Sequence, residues 1–546
     1  MSKPPPPRCA PRPACPPGWP TASRNGSSLA DESMNDAHPT HAAPPAPVPI
    51  TSPLQPGQVL DGFVLEARLH QGGMANLWQV RRQDPAPPAD PAPSVEDFPL
   101  IMKVPRIKGG EDPASIVGFE VEQMILPALK GPHVPRFVAR GDWRRQAYIV
   151  MERIEAESLR PRLDLAPLPL VEVVEIGIQV AHALTDLHRQ HLVHLDIKPS
   201  NILLRPDGTV VLVDFGLSRH DFLPDLLEEE FSLPMGTGPY MSPEQVQFVR
   251  NDPRSDLFAL GVMLYHLSTG ERPFGQPTSV RQLRRRLYVD PIPPRAIRPE
   301  LPPWFQEIVL HCLEVRAERR YQSAAQLALD LQRPDAVPLT ARAHKLQRSG
   351  MVRRFKRWFL AMGEEPHAPA SVGAQVARSP VIMAAVDVLG ATPTLLEELR
   401  EIVRRLMQTE PGARLACVAV MKTNRIGMDE LTDAQGRSHH VQQLIALKNW
   451  AHPMTRELAL EDGRLTFHVL EAPDAADALI EFAAKTGVDH VVMGARASSM
   501  MRRYLGSVSA QVVSQCACTV TVVREPVLPD DTPPSDSTLI SPSASN

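Results

Sequence analysis

The stretch that decides the fold runs from His194 to Asn201 and reads HLDIKPSN, and a second polar cluster, Asp214-Phe215-Gly216, follows it. Between the two clusters lie two short apolar runs joined by Pro206-Asp207-Gly208, a sequence typical of a tight turn. Apolar runs on both sides of such a turn predict a β-hairpin. Because a hairpin brings its two ends together, we expect the polar clusters to meet at one point.

The polar side chains of these clusters suit the chemistry of phosphate transfer. Asp196 can accept a proton from a hydroxyl nucleophile, and Lys198 can hold a transferring phosphate. Asn201 and Asp214 offer the hard oxygen ligands that Mg²⁺ prefers. The competing interpretation is that carboxylates in turns cap backbone amides, as a single aspartate usually does. Four suitable side chains in one short stretch favour the catalytic interpretation.

The two clusters resemble the catalytic loop and the Asp-Phe-Gly motif of the eukaryotic-type protein kinase family. The Asp-x-Lys-x-x-Asn form from Asp196 to Asn201 is similar to the serine/threonine branch of that family rather than the tyrosine branch. The resemblance implies an α+β bilobal protein kinase domain that uses ATP and Mg²⁺ to phosphorylate protein hydroxyl groups. It also implies that Asp196 and Lys198 are catalytic and that Asn201 and Asp214 hold the metal.

A lysine inside an apolar strand needs a charged partner. Lys103 lies in a predicted strand at 100–104, and a predicted helix at 115–129 contains Glu120 and Glu122. The spacing to the apolar residues that follow makes Glu122 the better candidate, with Glu120 as the alternative. The resemblance implies that Lys103 holds the α and β phosphates of ATP and that the glutamate fixes the lysine. A simple surface ion pair is the other interpretation.

A glycine turn precedes this strand. Gly72 and Gly73 lie in a predicted turn at 70–76, and this position resembles the kinase glycine-rich loop, whose backbone covers the phosphates. Leu77, where the next strand begins, is also placed at the nucleotide by the resemblance. Two glycines of the family pattern are replaced by other residues, so an ordinary hairpin turn remains an alternative.

The strand at 148–154 resembles the strand that enters the hinge between the two kinase lobes. The resemblance implies that backbone groups from Glu152 to Ile154 bind adenine and that Leu203 forms the floor of the adenine pocket. Ile101 occupies a position where the family usually has a small residue against the base. We therefore expect a tighter base pocket.

The predicted activation loop, 217–242, carries the acidic run Glu228-Glu229-Glu230 and few hydroxyl groups. Leu195 stands where many kinases have the arginine that receives an activation-loop phosphate. The resemblance therefore implies that phosphorylation of this loop does not control the activity. The segment 236–244 resembles the part of the family that seats the peptide substrate.

Two further residues match structural positions of the family. Glu244 would pair with a later arginine, for which Arg320 is the best match, and Asp256 would brace the catalytic loop. The resemblance runs in order from about residue 59 to residue 334. We place the kinase domain at 56–334.

Residues 379–524 form a second predicted domain, in which apolar strands alternate with helices. Such alternation predicts an α/β doubly wound parallel sheet covered on both faces. Asp387 and Gly494 end two strands, where such folds bind ligands, and Gly506-Ser507 opens a helix whose N-terminus suits a phosphate. These residues resemble the universal stress protein family, some members of which bind ATP. Ala497 replaces a glycine of its signature, so nucleotide binding and a plain dimerisation or sensing role both remain open.

Proline-rich and polar segments flank the two domains. We predict a disordered arm at 1–55, a linker at 335–378 and a disordered tail at 525–546. The linker contains the basic and aromatic segment 353–360, which suits either a membrane surface or docking onto one of the domains. We favour docking, because so short a helix is marginal alone.

Composition limits the partners and the compartment. The net charge of −4 does not point to nucleic acid or to an anionic membrane. No stretch approaches about 18 uninterrupted apolar residues, and we expect no secretory signal. The six cysteines are scattered along the chain, which fits a reducing, cytoplasmic compartment.

These observations predict a cytoplasmic serine/threonine protein kinase, fused to a universal stress protein domain, that acts in stress signalling with ATP and Mg²⁺ as cofactors. We expect protein substrates and consider autophosphorylation and a homodimer through the C-terminal domain, without nucleic-acid or membrane partners. The alternative is a nucleotide-gated pseudokinase scaffold, which the altered glycine loop and Ile101 motivate. A third hypothesis makes the second domain an adenylate sensor that tunes the kinase.

Overall fold

A computed structural model describes residues 54–72, 75–83, 98–106, 113–347, 379–410, 412–423, 438–458, 460, 463–495 and 506–525. The predicted arm and tail, apart from their innermost residues, lie outside the described residues, as do Gly73 and the basic segment 353–360. None of the helices in the described ranges is long and apolar enough to cross a membrane.

The N-terminal lobe is a six-stranded antiparallel sheet with one helix beside it in the described residues. Its elements are β1 (Val59–Leu60), β2 (Phe63–Gln71), β3 (Ala75–Arg82), β4 (Leu100–Pro105), α1 (Pro113–Ile125), β5 (Phe137–Arg140) and β6 (Ile149–Glu152). The strand order is β1-β2-β3-β4-β6-β5. Alternate residues of a strand face opposite sides of the sheet. Met102 and Val104 of β4 are therefore buried on one face, while Lys103 points to the other.

The glycine turn is shorter than the sequence predicts. Strands β2 and β3 continue their pairing to Gln71 and Asn76, inside the region 70–76 that was expected to be a turn. The N–H of Gly72 then donates to the carbonyl of Ala75 at 3.0 Å. The predicted limits are wrong because backbone groups that meet a partner extend the ladder whatever the propensity of their side chains.

Helix α1 ends earlier than the predicted limit at residue 129. The α-helix ends at Ile125, and a 3-10 turn, Leu126–Ala128, follows. Pro127 has no backbone N–H to continue the helical hydrogen bonds, which accounts for the earlier end.

The C-terminal lobe is mostly helical. Its helices are α2 (Arg160–Asp164), α3 (Leu170–Arg189), α4 (Leu226–Glu230), α5 (Pro243–Val246), α6 (Arg254–Thr269), α7 (Val280–Leu283), α8 (Pro294–Ile297), α9 (Pro303–Cys312) and α10 (Ala324–Gln332). Its short strands are β7 (Glu157–Ser158), β8 (Leu192–Val193), β9 (Ile202–Leu204), β10 (Val210–Leu212) and β11 (Arg219–His220). The predicted hairpin is confirmed, because β9 and β10 pair antiparallel with Leu204 opposite Val210. Its two ends carry the two polar clusters.

The second domain is a five-stranded sheet with helices on both faces. Its strands are β12 (Val381–Ala385), β13 (Arg414–Lys422), β14 (Leu465–Ala472), β15 (His490–Ala495) and β16 (Thr519–Arg524). Its helices are α11 (Pro393–Thr409), α12 (His439–Leu458), α13 (Ala475–Thr486) and α14 (Ser507–Gln515). The strands are parallel in the order β14-β13-β12-β15-β16. One apolar core lies under α11 and α12 and another under α13 and α14. The predicted doubly wound sheet is confirmed.

The two lobes of the first domain and the second domain share a continuous apolar core. Leu226 and Leu227 of α4 are buried in the same cluster as Val441 and Leu444 of α12 and Val469 of β14. Helix α4 lies in the activation loop. The second domain therefore packs directly against that loop.

Candidate active site

The catalytic loop is fixed by a carboxylate from helix α6. Asp256, which is 1 % exposed, accepts hydrogen bonds from the backbone N–H groups of His194 and Leu195, each at 2.9 Å. Leu195 has a φ of 63°, a left-handed conformation that costs a residue with a Cβ roughly 1–2 kcal/mol. The two hydrogen bonds to Asp256 hold the loop in this conformation, as expected for the brace that the sequence predicts.

Asp196 lies at the centre of a short hydrogen-bond network. Lys198 Nζ is 2.6 Å from Asp196 Oδ2. Thr237 donates to Asp196 Oδ1 through its hydroxyl at 2.7 Å and through its N–H at 3.1 Å. Lys198 Nζ also donates to Thr237 Oγ1 at 3.0 Å. The three side chains form a closed triangle, so the Asp196 carboxylate is held in one orientation.

The hairpin brings Asn201 beside the residues around Asp214. The N–H of Val213 donates to the backbone carbonyl of Asn201 at 3.0 Å. The side-chain amide of Asn201 donates to Asp196 Oδ2 at 3.1 Å. Asp214 has a side chain that is 44 % exposed, so its carboxylate is open to the cleft. Asn201 thus lies beside Asp196 and beside the residue that precedes Asp214.

Lys103 binds two carboxylates at once. Its Nζ lies 2.5 Å from Glu122 Oε2 and 3.0 Å from Asp214 Oδ1. Glu122 is therefore the helical partner of Lys103. The alternative, Glu120, is wrong because its carboxylate turns instead to Lys448 of the second domain.

Burial and charge act in opposite directions on this cluster. Burial alone would lower the pKa of Lys103, but the charges of Asp214 and Glu122 outweigh it and raise that pKa above its ordinary value. The charge of Lys103 lowers the pKa of Asp214. Burial, together with the charge of Asp214, raises the pKa of Glu122. Lys103 therefore stays protonated and Asp214 ionised near neutral pH.

A cavity of about 390 Å³ joins these groups, and its lining includes Lys103, Glu122, Asp196, Lys198 and Asp214. Three carboxylates face two ammonium groups there, so the cavity has a deficit of positive charge. Within the described residues, no three or more histidine, cysteine or carboxylate side chains are placed to hold a metal ion by themselves, so a Mg²⁺ here would depend on Asp214, Asn201 and the oxygens of substrate phosphates. Lys103 contacts Oδ1 of Asp214, which makes Oδ2 the oxygen available to a metal.

The residues predicted around the base and in the glycine turn lie outside the described lining of this cavity: Gly72, Leu77, Glu152, Ile154 and Leu203. Leu77 is opposite Lys103 in the β3–β4 ladder. The Glu152 carboxylate contacts Arg205 at 2.7 Å and Arg136 at 3.2 Å. The backbone N–H of Glu152 donates to the carbonyl of Arg136 at 2.9 Å, so neither the carboxylate nor the N–H of Glu152 is free for the predicted contact with a base. The adenine contacts stay predictions.

Thr237 and Gly118 belong to the site, although sequence reasoning did not assign them to it. Thr237 lies in the segment 236–244, interpreted from the sequence only as the seat of the substrate. Gly118 of α1 lies so close to Gly216 that a Cβ on Gly118 would meet the Gly216 carbonyl oxygen at 3.0 Å. In the sequence, Gly118 lies one helical turn before Glu122, and a glycine at that position is the feature that could have predicted this close contact.

The predicted pair between Glu244 and Arg320 is present, with two hydrogen bonds of 2.6 and 2.7 Å. The Ser255 hydroxyl donates to the same carboxylate at 2.8 Å. The neighbouring Gln245 donates to the carbonyl of Leu195 at 2.7 Å. The pair thus anchors the segment that follows the activation loop beneath the catalytic loop.

A second cavity, of about 470 Å³, lies in the second domain, and its lining includes Asp387, Gly494, Gly506 and Ser507. It is at the carboxyl ends of β12 and β15, where the strand order reverses and where doubly wound sheets bind ligands. The structure therefore brings together the residues that the sequence singled out in this domain. Ala497 lies outside the described residues.

Two family profiles match the chain. The profile of the protein kinase domain matches residues 106–330. The profile of the universal stress protein family matches residues 378–524. The matches fall on the bilobal part of the chain and on the parallel sheet, respectively.

Curated bacterial proteins are similar to part of the chain. Serine/threonine-protein kinase PknL of Mycobacterium tuberculosis is 31 % identical over 284 residues, which are 51 % of this chain and 67 % of that protein. Serine/threonine-protein kinase PknB of Mycobacterium leprae is 32 % identical over 237 residues, or 42 % of this chain and 38 % of that protein. A probable serine/threonine-protein kinase of Clostridium perfringens is 31 % identical over 216 residues, or 39 % and 31 %.

Proposed function

The chain belongs to the serine/threonine-protein kinases, and on this basis we propose that it transfers the γ-phosphate of ATP to protein hydroxyl groups in the cavity between Lys103 and Asp196. The match to the universal stress protein family supports a role in stress signalling. The observation that carries the proposal is the gathering of Lys103, Asp196, Lys198 and Asp214 around one cavity.

Asp196 orients the substrate hydroxyl and accepts its proton, and Lys198 neutralises charge on the transferred phosphoryl group. The contacts from Thr237 and Lys198 hold the Asp196 carboxylate in place, so the incoming hydroxyl meets a preorganised acceptor. Catalysis of this kind consists of positioning and charge neutralisation. Each group therefore acts only when the others are in place.

Lys103, fixed by Glu122, holds the α and β phosphates of ATP. Asn201 and Asp214 hold Mg²⁺, which supplies charge neutralisation for the phosphates when it is bound. The remaining nucleotide contacts are assigned from the family resemblance to Gly72, Gly73, Leu77, Glu152, Ile154 and Leu203.

The direct test is phosphate transfer from γ-labelled ATP by the full-length protein. With Mg²⁺ present, we expect label on the protein itself and on a generic basic protein substrate. Removal of Mg²⁺ with EDTA is expected to slow the transfer at least about 100-fold, because several kcal/mol of charge stabilisation are lost. Restoring Mg²⁺ in excess of EDTA is the control and should return the rate.

The pseudokinase scaffold makes a different prediction for the same protein. It predicts that ATP raises the melting temperature without any transfer of label. We favour the enzyme because competent side chains occupy the catalytic positions Asp196, Lys198, Asn201 and Asp214. A thermal shift without labelling would reverse that preference.

Phosphorylation of the activation loop is not expected to control the rate. Leu195 offers no cation for a phosphate, and Ser232 is an exposed hydroxyl of this loop. Ser232→Ala is therefore expected to leave the initial rate within about two-fold of the wild type, as for most surface substitutions. The comparison uses initial rates of phosphatase-treated proteins. A loss of about ten-fold or more would mean that the loop needs a phosphate after all.

We also propose that the second domain binds an adenine nucleotide in the cavity beside Asp387. The observation that favours this function is the convergence of Gly494 and Gly506-Ser507 on that cavity. A Cβ at Gly506 would meet no described atom closer than Ser509 Oγ at 3.7 Å, so Gly506→Glu places a charge in the cavity without distorting the backbone.

Calorimetric titration of the full-length chain with ATP and with AMP tests this second site. We expect binding to the kinase site and to one further site, and we expect Gly506→Glu to remove the further site alone. Identical isotherms for the wild type and Gly506→Glu with both nucleotides would contradict the proposal.

The remaining proposals concern partners and compartment. We propose that the protein phosphorylates itself as well as other proteins and that it forms a homodimer through the C-terminal domain. We further propose that it is cytoplasmic and has no nucleic-acid or membrane partner, which its net charge of −4 supports. Light scattering coupled to size exclusion of the full-length chain tests the dimer.

A further inference from the structure

Three acidic side chains of the kinase domain are buried against the second domain. Glu120 lies on α1, and Glu229 and Glu230 lie at the end of α4 in the activation loop. Their side chains are 9 %, 12 % and 3 % exposed, respectively. Buried carboxylates are stable only when they are paired or protonated. Each of these three finds its partner in the second domain.

Glu229 is held by the first residue of β13. Arg414 donates two parallel hydrogen bonds of 2.6 Å to the two carboxylate oxygens of Glu229. Arg414 also donates to Thr466 Oγ1 of β14 at 2.8 Å. A bidentate arginine–carboxylate pair fixes both distance and orientation. Helix α4 is therefore fixed to the sheet of the second domain.

Glu230 is held by a fully buried histidine. His468 Nδ1 of β14 is 2.9 Å from Glu230 Oε1, and His468 is 0 % exposed. Burial raises the pKa of Glu230 well above its ordinary value and lowers that of His468 well below. Both shifts favour the neutral forms of the two groups, which lowers the cost of burying them together.

Glu120 connects the second domain to helix α1. Lys448 Nζ of α12 lies 2.6 Å from Glu120 Oε1 and 4.4 Å from the centre of the Phe467 ring. Glu120 and Glu122 are two residues apart and so project from different sides of the helix. The second domain thus holds one side of this turn of α1 through Glu120. The other side of the same turn presents Glu122 to Lys103.

Close packing and one further hydrogen bond complete this interface. Gly463, just before β14, is so close to the activation loop that a Cβ on it would meet Leu223 Cδ2 at 3.0 Å. Lys485 of α13 donates to the carbonyl of Phe231, directly after α4, at 3.1 Å. Together with the shared core around Leu227, these contacts cover the loop from residue 223 to residue 231.

We infer that the second domain is an internal brace of the kinase, in which Arg414, His468 and Lys448 hold α4 and α1 so that Glu122 stays on Lys103. The inference rests on the proposed kinase activity. Leu195 offers the activation loop no cation for a phosphate, so the loop is ordered by other contacts. Arg250 of the kinase domain holds Asp225 at 2.8 Å, and the second domain holds the residues that follow. Arg414, His468 and Lys448 therefore act as positioning residues for the reaction.

The geometry of the site indicates that the brace supports activity. The contact between Lys103 and Glu122 is made while the second domain is docked. The catalytic loop also remains in contact with the Asp-Phe-Gly segment, because the rings of His194 and Phe215 lie 5.3 Å apart. Thr237 still donates to Asp196. A domain that switched the kinase off by these contacts would separate Glu122 from Lys103 instead.

Charge reversal at the Arg414 pair tests the brace in the full-length protein. Arg414→Glu places a second carboxylate against Glu229 and is expected to lower kcat about ten-fold, within the usual range of coupling between sites. The KM for the generic basic protein substrate is expected to change less, because none of the interface contacts described above involves the segment 236–244. The double variant Arg414→Glu/Glu229→Arg restores the pair with opposite polarity and is expected to recover most of the lost rate.

Arg405→Glu is the matched control, because Arg405 is 65 % exposed on α11 and contacts only Glu401 of its own helix among the ion pairs of the described residues. Its rate is expected to equal that of the wild type. Hydrogen exchange should show faster exchange in α1 for Arg414→Glu but not for Arg405→Glu. Lys448→Ala, which removes the smaller contact to Glu120, gives a second measurement if Arg414→Glu does not fold.

Each outcome separates the two proposals. If the wild type transfers phosphate and both Arg414→Glu and Lys448→Ala match or exceed its kcat, the brace is wrong and the kinase function stands. If the double variant is as slow as Arg414→Glu although both fold, the Arg414–Glu229 pair is not what holds the site. If the wild type itself transfers no phosphate, the proposed function fails first.

Discussion

Replacement of Asp196 by asparagine is expected to lower kcat for phosphate transfer about 1000-fold, which is within the usual contribution of a general base. Asparagine has the same shape but cannot take the proton of the substrate hydroxyl. Its carbonyl oxygen can still accept from Thr237, which contacts Asp196 at 2.7 Å. The KM for ATP should stay within about two-fold of the wild type, since Lys103 holds the phosphates in the assignment proposed above.

The measurement is steady-state transfer of γ-labelled phosphate to a basic protein, with ATP varied at saturating Mg²⁺. Asp207→Asn is the matched control, because Asp207 is an exposed aspartate in the turn of the same hairpin and only caps the N–H of Thr209 at 2.8 Å. It should behave like the wild type. If Asp196→Asn retained more than about a tenth of the wild-type kcat, Asp196 would not be the base.

The clustering of Asp196, Lys198, Asn201 and Asp214 was predictable because it is encoded locally. The hairpin from β9 to β10 follows from a turn sequence between two apolar runs, and it carries Asn201 and Asp214 to one place. Lys103 was identified as a cation isolated in a buried strand, which leaves few interpretations other than a paired lysine. The choice of Glu122 over Glu120 as the partner of Lys103 depended on the helical spacing to the apolar residues that follow. That spacing identified the observed partner.

The contact between the domains was not predictable in the same way. In the sequence, Glu228-Glu229-Glu230 is indistinguishable from a solvated acidic run, because nothing nearby in the chain shows that Arg414 and His468 will cover it. Arg414 and Glu229 meet only after two separate domains have folded and packed. Pairing over such sequence separations depends on shape and burial, which periodicity and local propensity do not contain.

The predicted limits of the glycine turn were wrong for a related reason. Local propensity predicts a loop wherever glycines cluster, whereas the ladder between β2 and β3 continues to Gln71 and Asn76 because partners are available. The close approach of Gly118 to Gly216 also depends on tertiary packing. In both places, tertiary contacts of the backbone determine the conformation, and the glycine residues only allow it.

Arg320→Ala is expected to lower the free energy of unfolding by about 3–5 kcal/mol, the usual cost of removing one partner of a buried ion pair. Arg320 has a side chain that is 0 % exposed and binds both oxygens of Glu244. It also donates to the backbone carbonyls of Glu314, Val315 and Arg254. Its removal leaves the buried Glu244 carboxylate without its cation. The measurement is urea unfolding followed by circular dichroism, with the exposed Arg319→Ala as the control.

The pH dependence of stability and a double variant show whether loss of the Glu244–Arg320 ion pair causes the lower stability of Arg320→Ala. Burial alone would raise the pKa of Glu244, but the Arg320 guanidinium outweighs it and lowers the pKa below the ordinary value. The stability that the pair contributes is therefore present above the ordinary pKa of glutamate and is lost as the pH falls through the folded-state pKa. The difference between the wild type and Arg320→Ala should shrink in acid. Glu244→Leu/Arg320→Leu, which removes both charges, should lose less stability than Arg320→Ala, and an equal or larger loss would show that packing, not the unpaired carboxylate, sets the cost.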